Sequence, residues 1–234
     1  MKILDLTFAS PAQNLSCDEV LLDLCDNGFP HEILRFWSPA SHFVVLGYSN
    51  NAEAEVHTDF CRANNIPVFK RCSGGGTVLQ GPGCLNYSLV LALGNGRPMG
   101  SISLTNDFIM GTHRRALRKL LGPEISVKGD TDLALRELKF SGNSQRRKRK
   151  ALLFHGTFLL NFDLTLIGRS LKMPSRRPAY RQDRPHEKFL MNLKCPASKI
   201  KEALKKAWGA QKPLENIPFE NIDKLAASRY SPLA

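Results

Sequence analysis

Along the chain the apolar positions change period several times, and each change predicts an element. Residues 14–27 set Leu15, Val20, Leu21, Leu24 and Cys25 at roughly helical spacing, which predicts a first helix capped by Asn14 or Ser16 and stopped at Gly28. Two short apolar runs at 33–37 and 43–46, divided by Ser38-Pro39-Ala40-Ser41, predict two strands around a turn. A short helix at 58–65, a strand at 67–71, a glycine-rich turn and a strand at 86–93 follow. Phe108, Ile109, Leu117, Leu120 and Leu121 give 104–121 the apolar face of the main helix, which Gly122-Pro123 ends. Runs at 125–128, 133–135, 138–141 and 151–161 read as strands, with a basic tip between the last two. Residues 172–188, rich in Arg and Pro, are too polar for a core and read as a long loop over a surface. After Pro196, Ile200, Leu204, Ala207 and Trp208 mark one face of a last helix that ends near Gly209. Strand runs interrupted by single helices, without strict alternation, predict an α+β fold rather than a doubly wound one.

Composition narrows the setting. The 234 residues are 42% hydrophobic, enough for a real core, and the length suits one domain spanning 1–234. No apolar run approaches the roughly 18 residues that a membrane helix needs, and Asp5 interrupts any signal-like start. A soluble, cytoplasmic protein with no membrane partner is expected. Cys17, Cys25, Cys61, Cys72, Cys84 and Cys195 form no C-x-x-C pair and have no zinc-like His spacing, which argues for small buried hydrophobes and against a disulfide scaffold. Lys and Arg number 33 against 21 Asp and Glu, a formal charge of +12. Such a surplus predicts an anionic partner without choosing among nucleic acid, membrane surface, phosphorylated cofactor and acidic protein. The densest basic run, 146–150, reads as a solvated hairpin tip. It lacks the aromatics that would stack bases, which argues against sequence-reading of nucleic acid.

Three clusters carry candidate chemistry. The first runs from Arg71 through Cys72, Ser73, Gly74, Gly75, Gly76 and Thr77 to Gln80 and Gly83. Three successive glycines after a strand let the backbone approach a ligand closely, and their N–H groups can form a nest for an anion, to which Arg71 adds fixed charge. The segment matches neither the phosphate-loop pattern nor the spaced glycines of a dinucleotide site, and a flexible hairpin is the bland alternative. The second cluster is Lys139-Phe140-Ser141-Gly142-Asn143-Ser144-Gln145 and the third His155-Gly156-Thr157. A strand lysine beside a small-residue turn can project its ammonium into a cleft, where desolvation strengthens its pull on developing negative charge. Taken singly, Lys139 is more often an edge lysine in solvent, and His155 a satisfied core histidine.

These clusters, in this order and at these separations, closely resemble the lipoate–protein ligase family, within the wider biotin and lipoate ligase group. The resemblance begins at the helix bearing Asn14, Asp18 and Glu19 and peaks at 71–88. It passes through Gly129-Asp130-Thr131-Asp132 and the Lys139 and His155 clusters to the Arg-rich segment. It implies a class II aminoacyl-tRNA synthetase/biotin synthetase-like fold, a mixed and largely antiparallel sheet flanked by helices. The implied reaction uses ATP and Mg²⁺ to activate lipoate or octanoate as an acyl-adenylate. The acyl group then passes to one lysine of a lipoyl carrier domain, in the E2 subunit of a 2-oxoacid dehydrogenase or the glycine cleavage H protein. On this resemblance Lys139 is the central electrostatic residue, between acyl carbonyl and phosphate. Arg71, Ser73, Gly74, Gly75, Gly76, Thr77, Gln80, Asn86, Ser141 and Gly142 fall among the residues that bind the acyl-adenylate. Asp132 would hold its adenylate end or the Mg²⁺, and His155, Gly156 and Thr157 would form the nearby wall. The acceptor lysine is the nucleophile, so no covalent enzyme intermediate is required.

The chain departs from that pattern in three places. Gln80, which carries no charge, stands where many ligases have histidine. Gly81-Pro82-Gly83 looks more like the octanoyltransferase branch. The C-terminal accessory domain of the long ligases is expected to be absent, which would make a separate accessory subunit a candidate partner. The rival reaction is ATP-independent octanoyl or lipoyl transfer through a cysteine thioester, which needs a thiolate near the lysine. The stretches where such branches carry that cysteine, here within 122–138 and 157–194, hold none. Cys195 comes too late. Cys84 is the remaining alternative nucleophile, although Leu85 and Tyr87 beside it suggest the start of a packed strand. A non-catalytic basic binding module is the third reading. An acidic carrier domain would account for the positive surface, because complementary charge speeds encounter.

Overall fold

The computed structural model describes residues 1–94 and 96–233. Among them the chain forms β1 (Lys2–Asp5), α1 (Pro11–Asp26), β2 (Ile33–Trp37), β3 (Phe43–Leu46), α2 (Ala52–Glu55), α3 (Thr58–Ala63), β4 (Val68–Lys70), β5 (Val78–Gln80) and β6 (Cys84–Ala92). It continues through α4 (Ile102–Leu121), β7 (Ile125–Lys128), β8 (Asp132–Leu135), β9 (Leu138–Arg147), β10 (Ala151–Leu159) and α5 (Leu164–Ser170). The last elements are α6 (His186–Phe189), α7 (Ala197–Trp208), β11 (Lys212–Pro213) and α8 (Phe219–Arg229). Eight strands pair in the order β11-β1-β2-β6-β10-β9-β8-β7, and three more in the order β4-β3-β5. In the large sheet β1 runs parallel to β11 and β2, while the remaining neighbours are antiparallel. The α+β class with a mixed, mainly antiparallel sheet is therefore as expected.

Alternation along the central strands builds two cores. Leu85, Tyr87, Leu89 and Leu91 of β6, with Leu152, Phe154 and Phe158 of β10, pack under Ile109, Met110 and Leu117 of α4 and Ile200 and Leu204 of α7. On the opposite face Ile33, Val90 and Leu153 meet Cys17, Val20 and Leu21 of α1 and Ile222 of α8. Further along this second face the apolar pattern stops. The register sets Arg35, Ser88, His155 and Ser144 side by side across four strands, and Trp37, Asn86, Thr157 and Gly142 in the next aligned row. A one-residue slip would exchange these polar rows with the α4 core, so burial of the apolar face fixes where the polar groups converge.

Several local expectations need correction. The first helix begins at Pro11, whose preset φ and missing N–H suit the first helical position. Asn14 and Ser16 lie buried inside it rather than capping it. The Asn14 amide bonds Phe8 and Arg35, and Ser16 Oγ donates to the Ala12 carbonyl at 2.8 Å. The strands flanking Ser38–Ser41 do not pair with each other, because β1 and β6 already take both edges of β2. The turn instead carries the chain into the small sheet. Residues 142–145 are not a turn: they continue β9, paired with 154–157 of β10. The basic tip is anchored as well as solvated. Lys148 pairs with Asp23, and the N–H groups of Lys150 and Ala151 donate to Asp26 Oδ1 at 2.6 and 3.1 Å. All six cysteines are free. Among the described residues no helix is long and apolar enough to cross a membrane.

Candidate active site

The glycine loop joins β4 to β5 and is held in shape by Arg71. Its Nε donates to Ser73 Oγ at 2.9 Å, and its Nη2 to the carbonyls of Gly74 and Gly76 at 2.6 and 2.9 Å. Burial lowers the guanidinium pKa to about 10, still far above neutrality. Arg71 therefore uses its donors mainly to fold the loop. Gly47 and Gly75 make this possible: a Cβ on Gly47 would lie 2.1 Å from the Gly75 carbonyl oxygen, and Gly75 has φ +85°.

A chain of polar groups, buried except for the half-buried His155, ties the loop to the sheet and to α1. Ser73 Oγ lies 2.6 Å from His155 Nε2, His155 Nδ1 lies 3.5 Å from Asp18 Oδ2, and Asp18 Oδ1 accepts from Arg35 Nη1 at 2.6 Å. Arg35 is fully buried and also donates to Asn14 Oδ1 and to the Asn14 and Leu6 carbonyls. Burial opposes ionisation of Asp18, but Arg35, aided by His155, outweighs it and holds the carboxyl below the usual carboxylate range. In the neighbouring row Gln80 Nε2 donates to Thr157 Oγ1 at 2.7 Å, Thr157 Oγ1 to Asn86 Oδ1 at 2.5 Å, and Asn86 Nδ2 to Gln80 Oε1 at 3.0 Å. This closed ring satisfies the uncharged Gln80 without any acid–base role.

Lys139 projects from a bulge. Leu133 faces Ser141 and Ala134 faces Lys139, so Phe140 is the extra residue on β9, and such an insertion re-aims the side chains beside it. The ammonium pairs with Asp132 Oδ1 at 2.7 Å, and the Tyr180 hydroxyl donates to Asp132 Oδ2 at 2.8 Å. Thr131 and Asn143 fix the preceding turn: Thr131 Oγ1 donates to the Asn143 carbonyl at 2.7 Å, and Asn143 Nδ2 returns a 2.5 Å bond to the Thr131 carbonyl. Both Asp132 oxygens are thus engaged by protein donors. Among the described residues no cluster of three or more His, Cys, Asp or Glu is placed to hold a metal ion. Such a set forms no all-protein metal cage; a Mg²⁺ arriving on nucleotide phosphates would need only one or two carboxylates, and Asp132 lies on this wall.

These groups face one cavity of about 1160 Å³. Arg71, Gly75, Gly76, Thr77, Gln80, Asn86, Asp132, Lys139, Ser141, Gly142, His155, Gly156 and Thr157 line it, whereas Ser73, Gly74 and Cys84 do not. Ser73 and Gly74 instead hold the loop from behind. Apolar lining comes from Leu15, Trp37, Val45, Val78, Leu159 and Ile167, and further cations from Arg176, Arg177 and Arg181. The segment 172–188 is therefore a strap along the cavity rather than a loop over an indifferent surface. Ser175 fastens it by donating from Oγ to Glu55 Oε1 at 2.6 Å, and Arg181 is buried under Phe189. Trp37, Arg35, Glu55 and Tyr180 were not foreseen as parts of this region. They lie outside the glycine, lysine and histidine clusters, and only the sheet register and the strap bring them in.

Gly142 faces Lys139 so closely that an added Cβ would stand 2.8 Å from Nζ and 2.9 Å from Cε. Because the obstacle is the end of a flexible side chain, Gly142→Ala is expected to fold normally and to displace the ammonium. Acyl transfer should fall by about 10²-fold, the order expected for a misplaced catalytic group, with thermal unfolding nearly unchanged. A variant with full activity would show that the Lys139 position is not critical.

The sheet converges a cation, a glycine loop and a polar wall on one large cavity, and comparison with known proteins supplies the family. The profile of the lipoyl protein ligase A/B catalytic domain matches residues 10–212, and the chain belongs to that family. Lipoate–protein ligase 1 of Staphylococcus aureus is 25% identical over 231 residues, covering 94% of this chain and 68% of that protein. Octanoyltransferase LipM of an Exiguobacterium species is 32% identical over 184 residues, covering 66% and 63%. Lipoate–protein ligase A subunit 1 of Thermoplasma acidophilum is 30% identical over 151 residues, covering 62% and 57%. The chain thus spans 57–68% of the length of these relatives. Among solved structures, the bipartite Thermoplasma acidophilum ligase, described with its E2 lipoyl domain, matches with a TM-score of 0.76 at 23% identity, covering 97% of this chain and 90% of that one. A lipoate–protein ligase A bound with ATP matches with a TM-score of 0.76 at 22% identity, covering 97% and 92%. The fold is shared along nearly the whole chain. The family holds both ligases and octanoyltransferases.

Proposed function

We propose that the chain is an ATP-dependent lipoate–protein ligase that activates lipoate or octanoate and acylates a lysine of a lipoyl carrier domain. The observation that carries this reading is a cavity with Lys139 at its wall and, among the described residues, no cysteine in its lining. Its volume, about 1160 Å³, lies just above the usual range of roughly 300–1,000 Å³ for one small ligand and suits a nucleotide together with a medium-chain acid. In the first step a carboxylate oxygen of the acid attacks the α-phosphorus of ATP and pyrophosphate leaves. In the second, the carrier amine attacks the acyl carbonyl, AMP leaves and the amine releases a proton to solvent. Lys139 turns from Asp132 to the carbonyl and phosphate oxygens, where a cation in a partly desolvated site lowers the energy of the developing negative charge. The glycine loop and the strap arginines would shield the mixed anhydride from water. Mg²⁺ would enter with the nucleotide phosphates. The bipartite Thermoplasma relative supports a separate accessory subunit, and its description together with its E2 lipoyl domain supports a carrier of that type, with the H protein as the alternative. Use of ATP and of apo carriers fits a cytoplasmic setting.

The transferase reading keeps one observation in its favour, the 32% identity to octanoyltransferase LipM. It would need Cys84, which begins β6 among Val44, Leu46 and Leu79 and whose thiol burial pushes up to about 12. Cys84→Ser is therefore expected to retain at least about half of the transfer activity, with a stability loss of about 1 kcal/mol for burying a hydroxyl in place of a thiol. Loss of all activity in a folded variant would reinstate the thioester route. Lipoate-dependent exchange of labelled pyrophosphate into ATP tests the ligase directly. Exchange is expected with the acid present, and its absence beside active transfer from an octanoylated carrier would refute the reading.

A further inference from the structure

The reaction just described uses Lys139, but nothing in it uses Tyr180. This residue lies on the strap, 41 positions beyond the lysine, and its ring packs against Phe189 with centroids 5.1 Å apart. Its hydroxyl donates to Asp132 Oδ2 at 2.8 Å, while Asp132 Oδ1 holds Lys139 Nζ at 2.7 Å. The strap is seated at the same place by two further contacts. Arg184 Nη2 donates to the Tyr180 carbonyl at 2.7 Å, and Pro178 lies against Gly129, where a Cβ would stand 3.2 Å from the proline ring. Burial and the adjacent carboxylate push the Tyr180 hydroxyl pKa upward, so the group remains a protonated donor through the neutral range.

We propose that Tyr180 is a positioning residue for acyl transfer: by pinning one oxygen of Asp132 it fixes where the other holds Lys139, and it couples the strap to the lysine. The inference rests on Lys139 acting as described above. A carboxylate bonded at one oxygen can still turn about its terminal torsion, which is broad and roughly two-fold. A lysine paired with it then inherits that freedom on top of its own flexible stem. Bonding both oxygens removes the rotation and leaves the ammonium one defined starting point, a short swing from the substrate oxygens. Holding a reacting group in place in this way acts on the rate rather than on binding of the acid. Phenylalanine at 180 keeps the ring on Phe189 and removes the hydroxyl alone.

The test is a double-mutant cycle of Tyr180→Phe and Asp132→Asn in the full chain, read as kcat and KM for transfer of the acid to an apo carrier domain. It is accompanied by the rate at which Lys139 is acetylated by a small amine-reactive ester, followed by mass spectrometry. Tyr180→Phe is expected to lower kcat by about 10-fold with KM for the acid within about two-fold. It should raise the labelling rate of Lys139 several-fold and add little to the loss already caused by Asp132→Asn. Equal losses from Tyr180→Phe in the presence and absence of the Asp132 carboxylate would overturn the proposal, as would unchanged labelling of Lys139. Full activity in a Lys139→Ala control would instead sink the functional reading itself. The labelling arm needs no turnover, so even then it shows whether Tyr180 holds Lys139 in place, and the two failures stay distinguishable.

Discussion

Lys139→Ala is expected to lower acyl transfer by at least about 10³-fold while leaving the fold intact. Removing one preorganised donor from a site of this kind commonly costs 10²–10³-fold, and a full positive charge lost from a partly desolvated wall places the effect at the upper end of roughly that range or beyond. The cost in stability is small by comparison. The side chain is 25% exposed and its partner Asp132 14% exposed, and Asp132 keeps the Tyr180 bond after the lysine is gone. A loss of about 1 kcal/mol is expected from such a pair near the surface of a cavity. Lys139→Arg should not restore activity. Its planar head needs more room than an ammonium that already lies against the Gly142 backbone. Steady-state transfer rates beside a thermal melt check both statements, and transfer at the wild-type rate by the alanine variant would remove Lys139 from the chemistry.

Asp18→Asn is expected to lower stability by about 3–5 kcal/mol, because it leaves the fully buried Arg35 without its carboxylate. The same change alters the response to acid. A carboxyl held below its unfolded value contributes stability that is fully present above the unfolded pKa of about 4 and is lost as the pH falls through the folded value. Asp18 is such a group. Wild-type stability should therefore decline on acidification below about pH 4, and this contribution to the decline should be missing in the asparagine variant. Denaturant titrations of both proteins across that interval check the sign. An asparagine variant as stable as wild type, with the same acid limb, would show that the buried pair is not important to the fold. His155 and Ser73 lean on this pair, so the glycine loop is expected to loosen with it.

Much of this architecture could be read from residue patterns, and the misses have physical causes. The long elements, α4 and α7, carried enough periodic positions for their faces to be assigned, and Gly122 and Gly209 marked their ends. Two- to four-residue elements such as β5, β11 and α2 are too short to show a period, and their pairing is decided by neighbours distant in sequence. The strand character of 142–145 was hidden because glycine and serine are poor strand formers. There they are tolerated because Gly142 faces the Lys139 stem and Ser144 Oγ reaches the Gly74 carbonyl at 2.8 Å. The glycine, lysine and histidine clusters announced the site because their residue types are unusual together. Arg35 and Tyr180 gave no such signal. One looks like a strand residue and the other like part of a polar loop until the register and the strap place them.

The ligase account can be tested by the intact mass of an apo lipoyl carrier domain incubated with the protein, lipoate, ATP and Mg²⁺, beside a second tube holding an octanoylated donor carrier and no ATP. The account predicts one lipoyl group added to the carrier in the first tube only. Acylation in the ATP-free tube alone would contradict it and identify a transferase.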